Sequence, residues 1–134
     1  MIITTFFKAH AEDLFRAWTD PILMKQWLFK LGNSEIATVE VSLEVGGQFK
    51  VVERTPSEII DYFGSYVRID KPKQLSFTLN APKRFPGQTL VSVQFRQGME
   101  ECEMTFEQAN VESEMVDAEW RRMFSQLAMA LLKH

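Results

Sequence analysis

The side chains able to do chemistry are few, and they are scattered. The chain has two histidines and one cysteine. His10 precedes an apolar-periodic stretch and His134 is the last residue, so neither belongs to a metal-type spacing. The expected role of His10 is that of a polar residue at a helix entry. Cys102 alternates with Met104 and Phe106 and should face inward as a small apolar residue, with no identifiable base to activate it. There is no phosphate-cradling glycine loop and no nucleophile elbow. Catalytic residues, metal ligands and a cofactor are therefore not expected. Three polar residues stand out instead. Strand alternation puts Glu53, Asp61 and Ser65 on one face with Phe49, Val51, Phe63 and Val67. A carboxylate aimed inward is costly unless it is paired or wet. Either the register slips near Thr55-Pro56-Ser57 and leaves Glu53 and Asp61 at an exposed rim, the preferred arrangement, or they sit in a wet cavity. In a cavity they would suit ligand hydrogen bonding or acid/base work.

The elements that must position these residues follow from periodicity. The segment 110–133 reads as one long amphipathic helix. Val116, Trp120, Met123, Phe124, Leu127, Ala130 and Leu131 form its apolar stripe at spacings of three and four. Acidic residues gather at its start and Lys133 lies at its end, the order favoured by the helix dipole. Asp117 with Arg121 and Glu119 with Arg122 read as pairs on a solvated face. Such a stripe needs a large apolar partner, and upstream the only one is a set of strands. Ile2 to Lys8 opens as a strand. A helix carrying Leu14, Phe15 and Trp18 follows, then a second with Ile22, Leu23, Trp27 and Leu28, capped by Asp20 with Pro21 in its first turn. From Glu35 the period is two. Gly46-Gly47, Thr55-Pro56-Ser57, Lys71-Pro72, residues 81–87 and Gln97-Gly98-Met99 punctuate the strands. At least one of Gly46 and Gly47 should have a positive φ or sit at a bulge. About seven strands with short turns imply antiparallel neighbours.

The composition bounds the function. A length of 134 residues suits one domain, 1–134, and 46% hydrophobic with 25% charged residues is a globular balance. A net charge of −3 gives no basic surface for nucleic acid. No apolar run is long enough to span a membrane. The N-terminal residues lack the charged region and cleavage site of a signal peptide, so a cytoplasmic protein is expected. The 11 Phe and 7 Met residues suggest a roomy interior lined by adaptable side chains.

Five pieces of the sequence, in order, carry a resemblance. They are Ala9-His10-Ala11-Glu12-Asp13-Leu14-Phe15-Arg16-Ala17-Trp18-Thr19-Asp20-Pro21; Trp27; Val45-Gly46-Gly47-Gln48-Phe49; Gly64-Ser65-Tyr66-Val67-Arg68-Ile69-Asp70-Lys71-Pro72-Lys73-Gln74-Leu75-Ser76-Phe77-Thr78; and the helix from Trp120 to Leu132. Together they resemble the family named after the activator of the heat-shock protein 90 ATPase. That family is part of the START-like (SRPBCC) helix-grip superfamily, which includes the birch pollen allergen type. Glu119 stands where the family usually has glycine. The resemblance implies an α+β fold: a curved antiparallel sheet of six to seven strands, two short helices after the first strand, and the long C-terminal helix on the concave face. It also implies a cavity between sheet and helix that holds a small hydrophobic molecule. Trp27, Phe49, Phe63, Phe77, Phe95, Trp120, Met123 and Phe124 are the expected lining, with the mouth near residues 81–87 and Glu53, Asp61 and Ser65 as polar cavity or rim groups. Two alternatives stay open: co-chaperone-like binding of a chaperone or other protein, and an enzyme of cyclase or hydrolase-like type. A monomer or weak homodimer is expected.

Overall fold

The computed structural model describes residues 1–132; Lys133, placed above at the helix end, and His134 lie outside the described residues. The chain runs β1 (Ile2–Phe7), α1 (Ala11–Thr19), α2 (Pro21–Met24), β2 (Glu35–Val41), β3 (Gln48–Arg54), β4 (Ile59–Asp70), β5 (Gln74–Asn80), β6 (Gln88–Gln97), β7 (Cys102–Ala109) and α3 (Glu114–Leu132). The strands form one curved antiparallel sheet in the order β1-β7-β6-β5-β4-β3-β2. The expected helix-grip arrangement is thus observed. The apolar stripe of α3, with Val116, Trp120, Met123, Phe124 and Leu127 buried, packs on the inner face; Trp120 and Phe124 meet Phe106 of β7 at centroid distances of 4.4 and 5.4 Å. Among the described residues no helix is long and apolar enough to cross a membrane.

Local chemistry sets the element ends. Asp20 accepts the Ile22 N–H at 2.9 Å and Pro21 takes the first helical position, as anticipated, but α2 is only one turn. Trp27 and Leu28 then lie in turns beyond it and still face the core. His10 is the entry residue of α1, accepting through its carbonyl the N–H groups of Asp13 and Leu14. The long helix starts at Glu114 rather than Asn110. Asn110 has φ 67°, which no helix accommodates, and Ser113 accepts the Val116 N–H through its hydroxyl. Gly46 has φ 85° and donates its N–H to the Tyr66 carbonyl, tying the turn between β2 and β3 to β4. Beside it, a methyl on Gly47 would overlap the Ser42 carbonyl oxygen. The glycine pair is therefore demanded twice over, by backbone conformation and by close approach.

The register of β3 on β4 departs from simple alternation. Phe49 pairs with Gly64, Val51 with Tyr62 and Glu53 with Ile60. Odd residues of β3 thus share the inner face with even residues of β4, because the turn joins Arg54 directly opposite Ile59. Phe63 and Asp61 are therefore outside, Phe63 with 42% of its surface exposed. Ile60, Tyr62 and Tyr66 occupy the inner face in their place. The slip expected near this turn does occur, but it sends only Asp61 outward; Glu53 is fully buried, not at a rim. Ser65 is half-buried, its N–H bonded to Thr78 Oγ1, and it shares an outer groove with Phe63, Lys50, Asn80 and Gln88. Farther along β4 a bulge between Tyr66 and Arg68 re-aims the strand.

Candidate ligand-binding cleft

The space beneath α3 is almost filled. Trp18, from α1, enters it from the side, and its ring centroid lies within 6.3 Å of those of Trp27, Phe77, Phe106, Trp120 and Phe124. Its indole N–H has no hydrogen-bond partner, as fits a ring surrounded by other rings. Of the expected lining residues, Trp27, Phe49, Phe77, Phe95 and Phe124 are buried in this packed aromatic core. The other two indole N–H groups are satisfied: Trp27 Nε1 donates to the Ala17 carbonyl, and Trp120 Nε1 donates to Gln108, which in turn donates to Thr89. The roomy interior inferred from composition is thus replaced by close packing. Phe supplies fixed ring contacts here instead of pocket wall. Cys102 is buried beside Met104 and Phe106, as expected. Burial, and then the charge of Glu103, push its thiol up, away from the reactive thiolate.

A residual cavity of about 20 Å³ remains at one end, where α3, the sheet and residues 81–87 meet. Trp120 and Met123 reach it, joined by Phe29, Leu31, Tyr62, Leu79, Arg84, Phe85, Val116 and Glu119. It holds one water at most. Larger hollows of about 270, 400 and 590 Å³ occur elsewhere on the molecule. The largest, lined by the β4–β5 turn, the end of β6 and Glu103 and Thr105 of β7, gathers no buried polar group. The small cavity is the one with chemistry built around it.

That chemistry is a buried polar network. Tyr62 donates its O–H to Glu53 Oε1 at 2.7 Å, and the Leu31 N–H reaches Oε2 at 3.3 Å. Arg84 comes in from the loop: Nε donates to Tyr62 Oη at 3.2 Å, Nη2 lies 3.4 Å from Glu53 Oε1, and Nη1 3.2 Å from Glu119 Oε2. Burial, and the neighbouring Glu53 carboxylate, hold the Tyr62 phenol well above its ordinary range against the opposing pull of Arg84. Burial would lower the Arg84 pKa, but the contacts to Tyr62, Glu119 and Glu53 outweigh it and the guanidinium is held charged.

The wall above the network is strained. Phe29 has φ 61°, a conformation that a bulky side chain rarely adopts. It persists because its surroundings fix it. Its ring stacks on Tyr62 at 3.9 Å with an interplanar angle of 5°, and its N–H donates to Met123 Sδ at 3.0 Å. The next residues are tied too, Lys30 O to Gln126 Nε2 at 3.0 Å and Leu31 N–H to Glu53. Backbone strain of about 1–3 kcal/mol held by several elements is characteristic of functional sites.

Phe29, Tyr62 and Arg84 escaped sequence reasoning. Phe29 lies outside any periodic element, Tyr62 was hidden by the parity of β4, and Arg84 sits in an irregular loop. Glu119 was assigned to the solvated face with Arg122; its ion pair is with Arg84, whereas Asp117 and Arg121 do pair, at 2.7 Å. Among the described residues no group of three His, Cys, Asp or Glu side chains converges to hold a metal.

The comparisons agree with the fold. A family model described as activator of Hsp90 ATPase homolog 1-like protein matches residues 8–132. No curated protein matches the sequence. Among solved structures, a protein from Chromobacterium violaceum superposes with a TM-score of 0.85 at 17% identity, covering 98% of this chain and 95% of its own. One from Nitrosomonas europaea gives 0.84 at 19% identity, covering 99% and 94%. The AHSA1-like protein from Aeromonas hydrophila gives 0.80 at 21% identity, covering 99% and 93%. These identities establish a shared fold. With the family match spanning nearly the whole chain, the protein belongs to the family of proteins like the activator of Hsp90 ATPase homolog 1.

Proposed function

We propose that the protein binds a small, mainly apolar molecule in the cleft between α3, β4 and residues 81–87, and that the structure is the closed form of that site. One observation carries the reading: the strained Phe29 roofs a network of buried Glu53 and Tyr62 with the partly exposed Arg84, where the walls are otherwise apolar. A few convergent polar groups in an apolar cleft is the usual composition of a ligand site. With about 20 Å³ free, entry needs displacement of Phe85 and Arg84, both on the loop. That loop is tied by the N–H groups of Arg84 and Phe85 on the Ala81 carbonyl, by Lys83 on the Ile59 carbonyl and Glu58, and by the Arg84 side chain on Tyr62, Glu53 and Glu119, so opening must break these last contacts.

A neutral hydrophobic fluorophore, N-phenyl-naphthylamine, tests the reading. The folded protein should bind it with roughly micromolar affinity, about −8 kcal/mol. Phe85→Ala should tighten binding by removing part of the gate, and Val116→Trp should weaken it by filling the cleft. No binding by either wild type or Phe85→Ala, with the circular dichroism unchanged, refutes it. The packed aromatic core favours a second reading, protein partner binding of the co-chaperone kind that the family description names. Capture of a purified chaperone of that class by the folded chain would support this second reading.

A further inference from the structure

The network divides into fixed and movable parts. Glu53 is on β3, with no exposed surface, clamped by the Leu31 N–H and the Tyr62 O–H. Tyr62 is on β4 and Glu119 on α3, both parts of regular elements. Arg84 alone belongs to the loop that gates the cleft, and its side chain is already 24% exposed. The charges do not balance within the cluster: two carboxylates face one guanidinium. When the loop moves, Arg84 can be hydrated at little cost, but Glu53 cannot follow it into water. Glu119 and Tyr62 already line the cleft, and withdrawal of Arg84 would uncover Glu53 Oε1 beside them, against the rings of Phe29, Tyr62 and Trp120. A carboxylate ligand would be repelled there, and a neutral one would leave Glu53 unpaired. A ligand cation would pair with Glu53 and Glu119 and lie against ring faces, which attract ammonium groups.

We propose that the cleft takes the ammonium head of an apolar amine, with Arg84 as an internal stand-in for that cation and a competitor for its place. The inference rests on the reading of this cleft as a ligand site. It makes Glu53 and Glu119 the groups that set specificity, and Arg84 a built-in brake on affinity.

Three probes with one apolar body test it: phenylbutylamine (protonated at neutral pH), phenylbutyrate and phenylbutanol. Binding to the full chain is followed by the shift of the Trp120 indole N–H resonance. The amine should bind about tenfold or more tightly than the other two. Arg84→Gln, which removes the competing cation, should tighten the amine by about fivefold or more, and Glu119→Gln should weaken it. Should Arg84→Gln fail to fold, Glu119→Gln on the half-exposed helix face carries the test. Preference for phenylbutyrate, lost in Arg84→Gln or strengthened in Glu119→Gln, would overturn the proposal by making Arg84 the grip for an anion. Equal binding of amine and alcohol would also overturn it. Both of those results leave the cleft a ligand site; no shift with any probe in any variant rejects the site itself.

Discussion

Replacing Arg84 by Met should expose how far the fold depends on its buried carboxylate. The substitution keeps the length and the apolar stem but removes the guanidinium from Glu53, Tyr62 and Glu119. Glu53 retains only the Tyr62 O–H and the Leu31 N–H, in a site with no exposed surface. Breaking a buried ion pair from one side costs about 3–5 kcal/mol. The pair here has a single 3.4 Å contact and a partly exposed Arg84, so a smaller cost, about 2–3 kcal/mol, is expected. For a chain this long that lowers Tm by about 6–10 °C. Most of the cost is the stranded charge, so it should shrink when the charge is removed. In Glu53→Gln, Arg84→Met should cost at least about 1 kcal/mol less than in the wild type. Urea unfolding of the four proteins, analysed at constant m, measures this. A cost under about 0.5 kcal/mol for Arg84→Met, or additivity within about 0.5 kcal/mol, would refute the reasoning.

Other outcomes follow from the same coordinates. Gly47→Ala should lower stability by about 2–3 kcal/mol, since its methyl overlaps the Ser42 carbonyl, and Gly46→Val by a similar amount through its φ of 85°; denaturation midpoints near wild type would contradict this. The only two tyrosines, Tyr62 and Tyr66, are both buried, and burial holds both phenols above their ordinary value of 10.0. The native state therefore keeps its phenolic protons where the unfolded chain releases them. The stability this contributes is complete below pH 10 and is lost as pH rises beyond it, by about 2.7 kcal/mol per pH unit for two groups. Phenolate absorbance should accordingly appear only together with loss of near-ultraviolet dichroism. Cys102, buried with a raised pKa, should react with an aromatic disulfide about a thousandfold more slowly in the native protein than in denaturant.

Much of the molecule was legible along the chain because its determinants are local. Periodicity marked the strands and α3. Asp20-Pro21 marked a helix start, the pair Gly46-Gly47 at least one positive φ or a bulge, and the alternation of Cys102, Met104 and Phe106 an inward row; each is borne out because each depends on a few neighbouring residues. Local signals also misled where they were ambiguous. In β4 both parities are apolar, Ile59, Phe63 and Val67 against Ile60, Tyr62 and Tyr66. Only the pairing of Arg54 with Ile59 chooses between them, and a shift of one residue exchanges the two faces of a strand.

The candidate site belongs almost wholly to what tertiary structure decided. Glu53, Tyr62, Arg84 and Glu119 come from β3, β4, a loop and α3, and no spacing links them in the sequence. Whether Glu53 is a wet rim residue or a buried ion-pair partner depends on a guanidinium 31 residues away. Whether the space under α3 is a pocket or a core depends on Trp18 entering it from α1. A sequence determines which residues are apolar and with what period, because these are properties of short stretches. It leaves to the folded chain which charges meet and which voids are filled, because those depend on distances between segments remote from one another.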